Sequence, residues 1–217
     1  MKTPFFENTS TPEQTKGNLP HWIQDSKIYF ITFRLGDSLP LHVLQEYEAY
    51  CAYQAQVIEK NGGLPEDWKQ YEIEKHNKIL RYLDAGYGSC VFKKPDVRKV
   101  VEDSFRYING KQCSIHDYVI MPNHVHMLIE VEGSNHVTEL IGNVKKYTAR
   151  VINHMLNSSG KFWQHEIHDR IVRNERHYWY SARYIAYNPR HCLPDSYSLY
   201  LQPEHESAFR VYSNVHM

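Results

Sequence analysis

His124 and His126 stand two residues apart in the stretch His116–Val131, where two apolar, alternating runs flank Met121-Pro122-Asn123. On a β-strand, residues i and i+2 project from one face, so the two imidazoles lie side by side with Val125 on the other face. Paired imidazoles on a rigid element are the beginning of a metal site, and a divalent ion needs further oxygen or nitrogen donors. The chain has 14 histidines, so an incidental pair of strand histidines is the alternative. A second pair is Tyr184 and Asn188, one turn apart on a predicted helix that Pro189 ends. The apolar face of that helix is Tyr178, Trp179, Ala182, Ile185 and Ala186, which puts Tyr184 and Asn188 on its far side, a placement that packing does not explain. Exposed tyrosines are nevertheless common. Two other hydroxyls compete: Tyr180, which flanks Tyr184, and Tyr147, which falls on the apolar face of its own helix and reads as a core residue with its hydroxyl reaching outward.

The elements that must carry these groups are legible from periodicity. Val, Ile and Tyr on either side of Met121-Pro122-Asn123 predict a β-hairpin over 113–131. Lys27–Leu35 is a β-branched and aromatic run ended by Gly36-Asp37, and reads as the first strand. Pro40 opens a helix to about Glu59, and Asn61-Gly62-Gly63 stops it. Residues 64–90 are charged and helical in pattern, resembling an insertion or a partner-facing hairpin. Pro95–Tyr107 has an apolar stripe of Val97, Val100, Val101 and Phe105. A long helix runs from Gly133-Ser134-Asn135 to about Leu156, and Asn174 is a plausible N-cap for the last helix. The expected class is α+β, an antiparallel sheet of about four to five strands with flanking helices in a ferredoxin-like order. The expected division is a flexible segment at 1–21, a catalytic domain at 22–200 with 60–92 as insertion, and a tail at 201–217.

Composition bounds the remainder. The 217 residues suffice for one domain with a real core. The 25 Lys and Arg balance 25 Asp and Glu, which argues against a protein that coats nucleic acid non-specifically and leaves a local basic groove open. No apolar run approaches the ~20 residues that span a bilayer, and the N-terminus lacks the apolar core of a signal peptide. Cys51, Cys90, Cys113 and Cys192 are scattered without a C-x-x-C pair, as in a reduced, cytoplasmic protein.

Taken together, Met121-Pro122-Asn123-His124-Val125-His126, the marks Trp163-Gln164 and Asp169-Arg170, and Tyr184-Ile185-Ala186-Tyr187-Asn188-Pro189 resemble the HUH single-tyrosine transposases, most closely their REP-associated branch. The resemblance covers about residues 22–200. It implies the HUH sheet with flanking helices. His124 and His126 would bind one Mg²⁺ or Mn²⁺, with Asn188 as third ligand where relatives often have Gln. Tyr184 would be the nucleophile that forms a 5′-phosphotyrosine and frees a 3′-OH. The DNA implied is single-stranded and hairpin-forming, and the working unit is a monomer or a homodimer.

For DNA contacts the sequence offers Lys145, Lys146 and Arg150 on the solvated side of their helix, Arg170, Arg173 and Arg176 before the last helix, and Trp163, Gln164 and His168 between them. Each basic group is more often a solvated face than a phosphate track. Two other functions stay open. One is a DNA-binding regulator that keeps the fold without the chemistry. The other is a hydrolase of small phosphoesters, which would want a more carboxylate-rich surround.

Overall fold

The computed structural model describes residues 4–7, 13–14, 22–24, 26–133 and 136–213. In chain order it contains β1 (Glu13–Gln14), β2 (Trp22–Ile23), β3 (Ile28–Arg34), α1 (Leu41–Lys60), α2 (Pro65–Asp84), α3 (Pro95–Ile108), β4 (Cys113–Ile120), β5 (His124–Val131), α4 (Val137–Met155), β6 (His168–Ile171), α5 (Glu175–Tyr187), β7 (Ser198–Leu201) and α6 (Pro203–Ser213). β1 and β2 form a small ladder of their own, and the other five strands make one sheet in the order β6-β3-β5-β4-β7. Every neighbouring pair in that sheet is antiparallel. The α+β class and the 113–131 hairpin are as the sequence predicts.

Alternation along the strands gives the sheet two different faces. One carries Tyr29, Ile31, Phe33, Val125, Met127 and Ile129, and packs with the stripes of α3 and α4 into the main core. The other carries Ile28, Phe30, Val119 and Leu128 and receives Ala182 and Ile185 of α5. Thr32 pairs with His126 and Arg34 with His124 in register, so the histidines belong to this second face. β4 slips register between Ile115 and Asp117, an irregularity that re-aims His116.

The α1–α2 hairpin, read from sequence as an insertion, has a thin core of Leu39, Val43, Ile79 and Leu83. Its exit is fixed at Gly88, where φ is +85° and an added Cβ would come within 2.5 Å of the Asp37 carbonyl oxygen, so only glycine is accommodated. The Ser89 amide also donates to Asp37 Oδ2 at 2.7 Å.

Described residues near both ends of the chain are tied to the domain. Phe6 N donates to Val172 O and Ile28 N to Pro4 O, so residues 4–7, expected within a flexible lead-in, are hydrogen-bonded to the strand region. The other lead-in residues lie outside the described ones, apart from β1 and 22–24. The boundary expected at residue 200 falls inside β7, and α6 beyond it buries His205 completely.

Candidate active site

His124 and His126 are both buried, at 1% and 0% exposure. Burial opposes their protonation, pushing the His124 imidazole down to about 3 and His126 well below its usual range. Each ring is held through Nδ1. His124 Nδ1 lies 2.7 Å from Asn123 Oδ1, while Asn123 Nδ2 donates to Leu83 O and Tyr87 O. Those two carbonyls fix which way the Asn123 amide points. Its oxygen must therefore accept from His124 Nδ1–H, which leaves His124 Nε2 with a bare lone pair. His126 Nδ1 lies 2.7 Å from Thr32 Oγ1.

The two rings meet edge-on with centroids 4.6 Å apart. His124 Nε2 has no hydrogen-bond partner, and neither does the buried Asn188 Oδ1. His126 Nε2 meets the Tyr184 hydroxyl at 3.5 Å. Buried polar atoms without partners are uncommon, because each forfeits its hydration. One bare imidazole nitrogen, a second that meets only a tyrosine hydroxyl, and an unpartnered amide oxygen are a donor set of the kind a divalent cation takes, so the residues present fit the Mg²⁺ or Mn²⁺ that the sequence suggests. The cage is not closed, since no three His, Cys, Asp or Glu among the described residues already converge as metal ligands.

Tyr184 packs edge-on against Phe30 and against His126, with ring centroids 5.8 and 5.1 Å apart. It was expected off the packed face of α5; instead it is half-buried and leans over the sheet. The buried stripe of α5 is Ser181, Ala182 and Ile185, narrower than the sequence suggests, and Tyr184 borders it. Burial raises its pKa, as does the Asp84 carboxylate, and the Asn188 amide opposes them. Asn174 caps α5 as expected, accepting from His177 N at 2.9 Å.

The candidate DNA contacts divide. Lys145, read as solvated, is 7% exposed, and its Nζ donates to His165 O at 2.8 Å and Glu166 O at 3.5 Å. Tyr147, read as core, is half exposed. The reason is that the buried stripe of α4 runs through Val137, Ile141, Val144, Lys145, Thr148 and Ile152, rotated away from Tyr147. Trp163 is a core residue packed on Phe33 and Phe92, and its Nε1 donates to Thr148 Oγ1 at 2.9 Å. Lys146 and Arg150 are exposed on α4, which covers the sheet face opposite the histidines. Arg170 and His168 pair with Phe30 and Thr32 and so share the histidine face. Arg173 is exposed just beyond β6. Gln164 and His168, with Thr32, Arg34, Tyr47 and His76, line a cleft of about 500 Å³ under the α1–α2 hairpin.

Sequence reasoning missed Thr32, Asn123 and Asp84. Thr32 is the one aliphatic hydroxyl in the apolar run Ile28–Phe33, a signal visible in the sequence. Asn123 read only as a turn residue, and the position of Asp84 depends on how the hairpin folds.

No curated protein sequence matches the chain. Among solved structures, one described as the REP-associated tyrosine transposase bound to a REP hairpin aligns over 82% of this chain and 75% of its own, with 14% identity and a TM-score of 0.45. The family model for IS200-like transposases matches residues 86–188, a span that holds the His pair, Tyr184 and Asn188. Over that span the chain is similar to the IS200-like transposase family.

Proposed function

We propose that this protein is a transposase, a metal-dependent endonuclease and strand-transfer enzyme for single-stranded, hairpin-containing DNA. It works through a 5′-phosphotyrosine at Tyr184, with Mg²⁺ or Mn²⁺ held by His124, His126 and Asn188. The observation that carries this reading is the Tyr184 hydroxyl 3.5 Å from the buried His126 Nε2, with the bare Nε2 of the adjoining His124 ring and the unpartnered Asn188 oxygen also buried.

When bound, the ion would polarise the scissile phosphate and stabilise the charge that builds on its oxygens. The protein's own groups do the remainder. Asn123 and Thr32 hold the imidazoles in position, and burial keeps both rings neutral and able to donate lone pairs. The contacts with Phe30 and His126 fix where Tyr184 Oη sits before DNA arrives. Tyr184 Oη attacks phosphorus and the P–O3′ bond breaks. In net terms one phosphodiester replaces another, and the proton lost by the phenol is matched by the one gained at the freed 3′-OH. The covalent link conserves the bond for rejoining to a second 3′-OH.

Tyr184 reaches the histidines of its own chain, which supports a monomer as sufficient for cleavage. Arg170, on the histidine side, and the exposed Arg173, close enough to act on it, are the proposed phosphate contacts, with Gln164 and His168 at the neighbouring cleft. Lys146 and Arg150 sit on the far side and Lys145 and Trp163 are occupied inside the protein, so the structure does not bring them to the site. No helix among the described residues is long and apolar enough to cross a membrane. A cytoplasmic location follows from the proposed substrate.

The test is incubation with a labelled single-stranded hairpin oligonucleotide from the DNA flanking the gene, with Mn²⁺, Mg²⁺ or chelator, followed by a denaturing gel. A metal-dependent protein–DNA band lost in Y184F is expected. Tight binding with no band under any metal would instead mark a DNA-binding regulator.

A further inference from the structure

The two imidazoles and the amide that face the site are all neutral, so a divalent cation placed there would lack a compensating anion. Mg²⁺ and Mn²⁺ favour anionic oxygen ligands. Among the described residues, one carboxylate comes within 4.0 Å of either imidazole: Asp84 Oδ1, 4.0 Å from the bare His124 Nε2. That gap is too long for a hydrogen bond. It leaves room for an ion with ordinary bonds of about 2.0–2.3 Å to each atom.

Asp84 is the last residue of α2, and it lies before the family-matched span 86–188. Its position there does nothing for the helix, because a negative charge at a helix C-terminus opposes the macrodipole. Burial raises its pKa, and Arg190, the Asn188 amide and His191 pull the other way. Asp84 also acts on the Tyr184 phenol from the same space. The backbone around Asp84 is held in place: the Leu83 and Tyr87 carbonyls that flank it both accept from Asn123, the residue that orients His124.

We infer that the α1–α2 hairpin completes the metal centre, with Asp84 supplying its anionic oxygen donor beside His124. The inference rests on the two-histidine metal site proposed above. It gives residues 41–84 a job: the hairpin makes the charge of the site sufficient for a hard divalent ion.

The test is Mn²⁺ binding by the full-length protein without DNA, read from the electron paramagnetic resonance signal of free Mn²⁺. Wild type is compared with D84N, D84E, H124A and E66Q, the last removing a carboxylate from the far end of α2. D84N should weaken Mn²⁺ binding about 10–100-fold. D84E should restore most of it, and E66Q should bind as wild type. Without metal, D84N should melt no lower than wild type, which separates loss of a ligand from loss of structure. If D84N binds Mn²⁺ as wild type does while H124A does not, Asp84 has no such role and the histidine site stands. If wild type and H124A bind Mn²⁺ equally weakly, both the histidine site and the role of Asp84 are wrong.

Discussion

The histidine face of the sheet carries two buried polar clusters near opposite ends of α5, and they are built on opposite principles. At one end, His205 and Asp117, both fully buried, meet at 2.7 Å. Gln202 then joins His205 to the Tyr178 hydroxyl, which meets His116, and His116 faces Glu130 at 3.4 Å. Each polar group there has a partner, and the network ties α6 and α5 to β4. At the other end, His124 is held by Nδ1 alone with its Nε2 bare, and beyond its Nδ1 contact His126 Nε2 meets only the Tyr184 hydroxyl at 3.5 Å. Satisfied polar clusters lock a structure, whereas a buried lone pair without a donor costs stability that a ligand can recover. Burial of histidine on this face is therefore no guide to function by itself. The unspent valence of the ring is the guide.

The largest effect that tests this contrast is on the covalent product. Y184F should reduce the protein–DNA band below detection, and H124A or H126A should nearly do so. H205A should leave the yield per folded molecule within a few-fold. Equal loss in H205A would show that the two clusters are not separable.

Stability should respond in the opposite sense. H205A strands the fully buried Asp117 carboxylate and should cost about 3 kcal/mol in denaturant melts. D84N, at the catalytic end, should cost nothing in the absence of metal.

A smaller effect concerns acid. His76, in the cleft beside the site, has its pKa pushed down to about 4, by burial first and then by Arg170 and His168. The unfolded chain takes up this proton near 6.5 and the folded chain only near 4. Its contribution is thus complete above about pH 6.5 and is lost as pH falls towards 4, by at most about 1.4 kcal/mol per pH unit. H76Q should flatten the decline of melting temperature over that range.

The smallest effect is on DNA affinity. R173A, close to Arg170, should lower the slope of log affinity against log salt by about one, and R150A on the face opposite the histidines should leave it unchanged.

Much of this molecule was written locally. The boundaries of α1, α3, α4 and α5, the Asn174 cap and the turn at Met121-Pro122-Asn123 follow from near-neighbour periodicity and turn chemistry, and the structure keeps them within a residue or two, whereas α2 ends six residues before the expected stretch does and α6 falls in the expected tail. The i, i+2 spacing fixed that His124 and His126 share a face. The pattern failed where a helix stripe had to be oriented to within a fraction of a turn. Lys145 and Tyr147 exchanged their expected places because the rotation of α4 on the sheet is set by its neighbours, including the His165 and Glu166 carbonyls that receive Lys145.

The sequence by itself determined the sheet-forming hairpin, the paired imidazoles and a tyrosine one turn before an amide, because each depends only on residues within a turn or a pleat of one another. Tertiary structure decided that Thr32, 94 positions from His126, would hold its ring, and that Tyr184, 58 positions away, would come to rest over it. It also decided that the end of α2 would bring Asp84 to His124. Such meetings depend on strand order and helix docking, which are set by the burial of whole faces and leave no mark at the spacing of any motif.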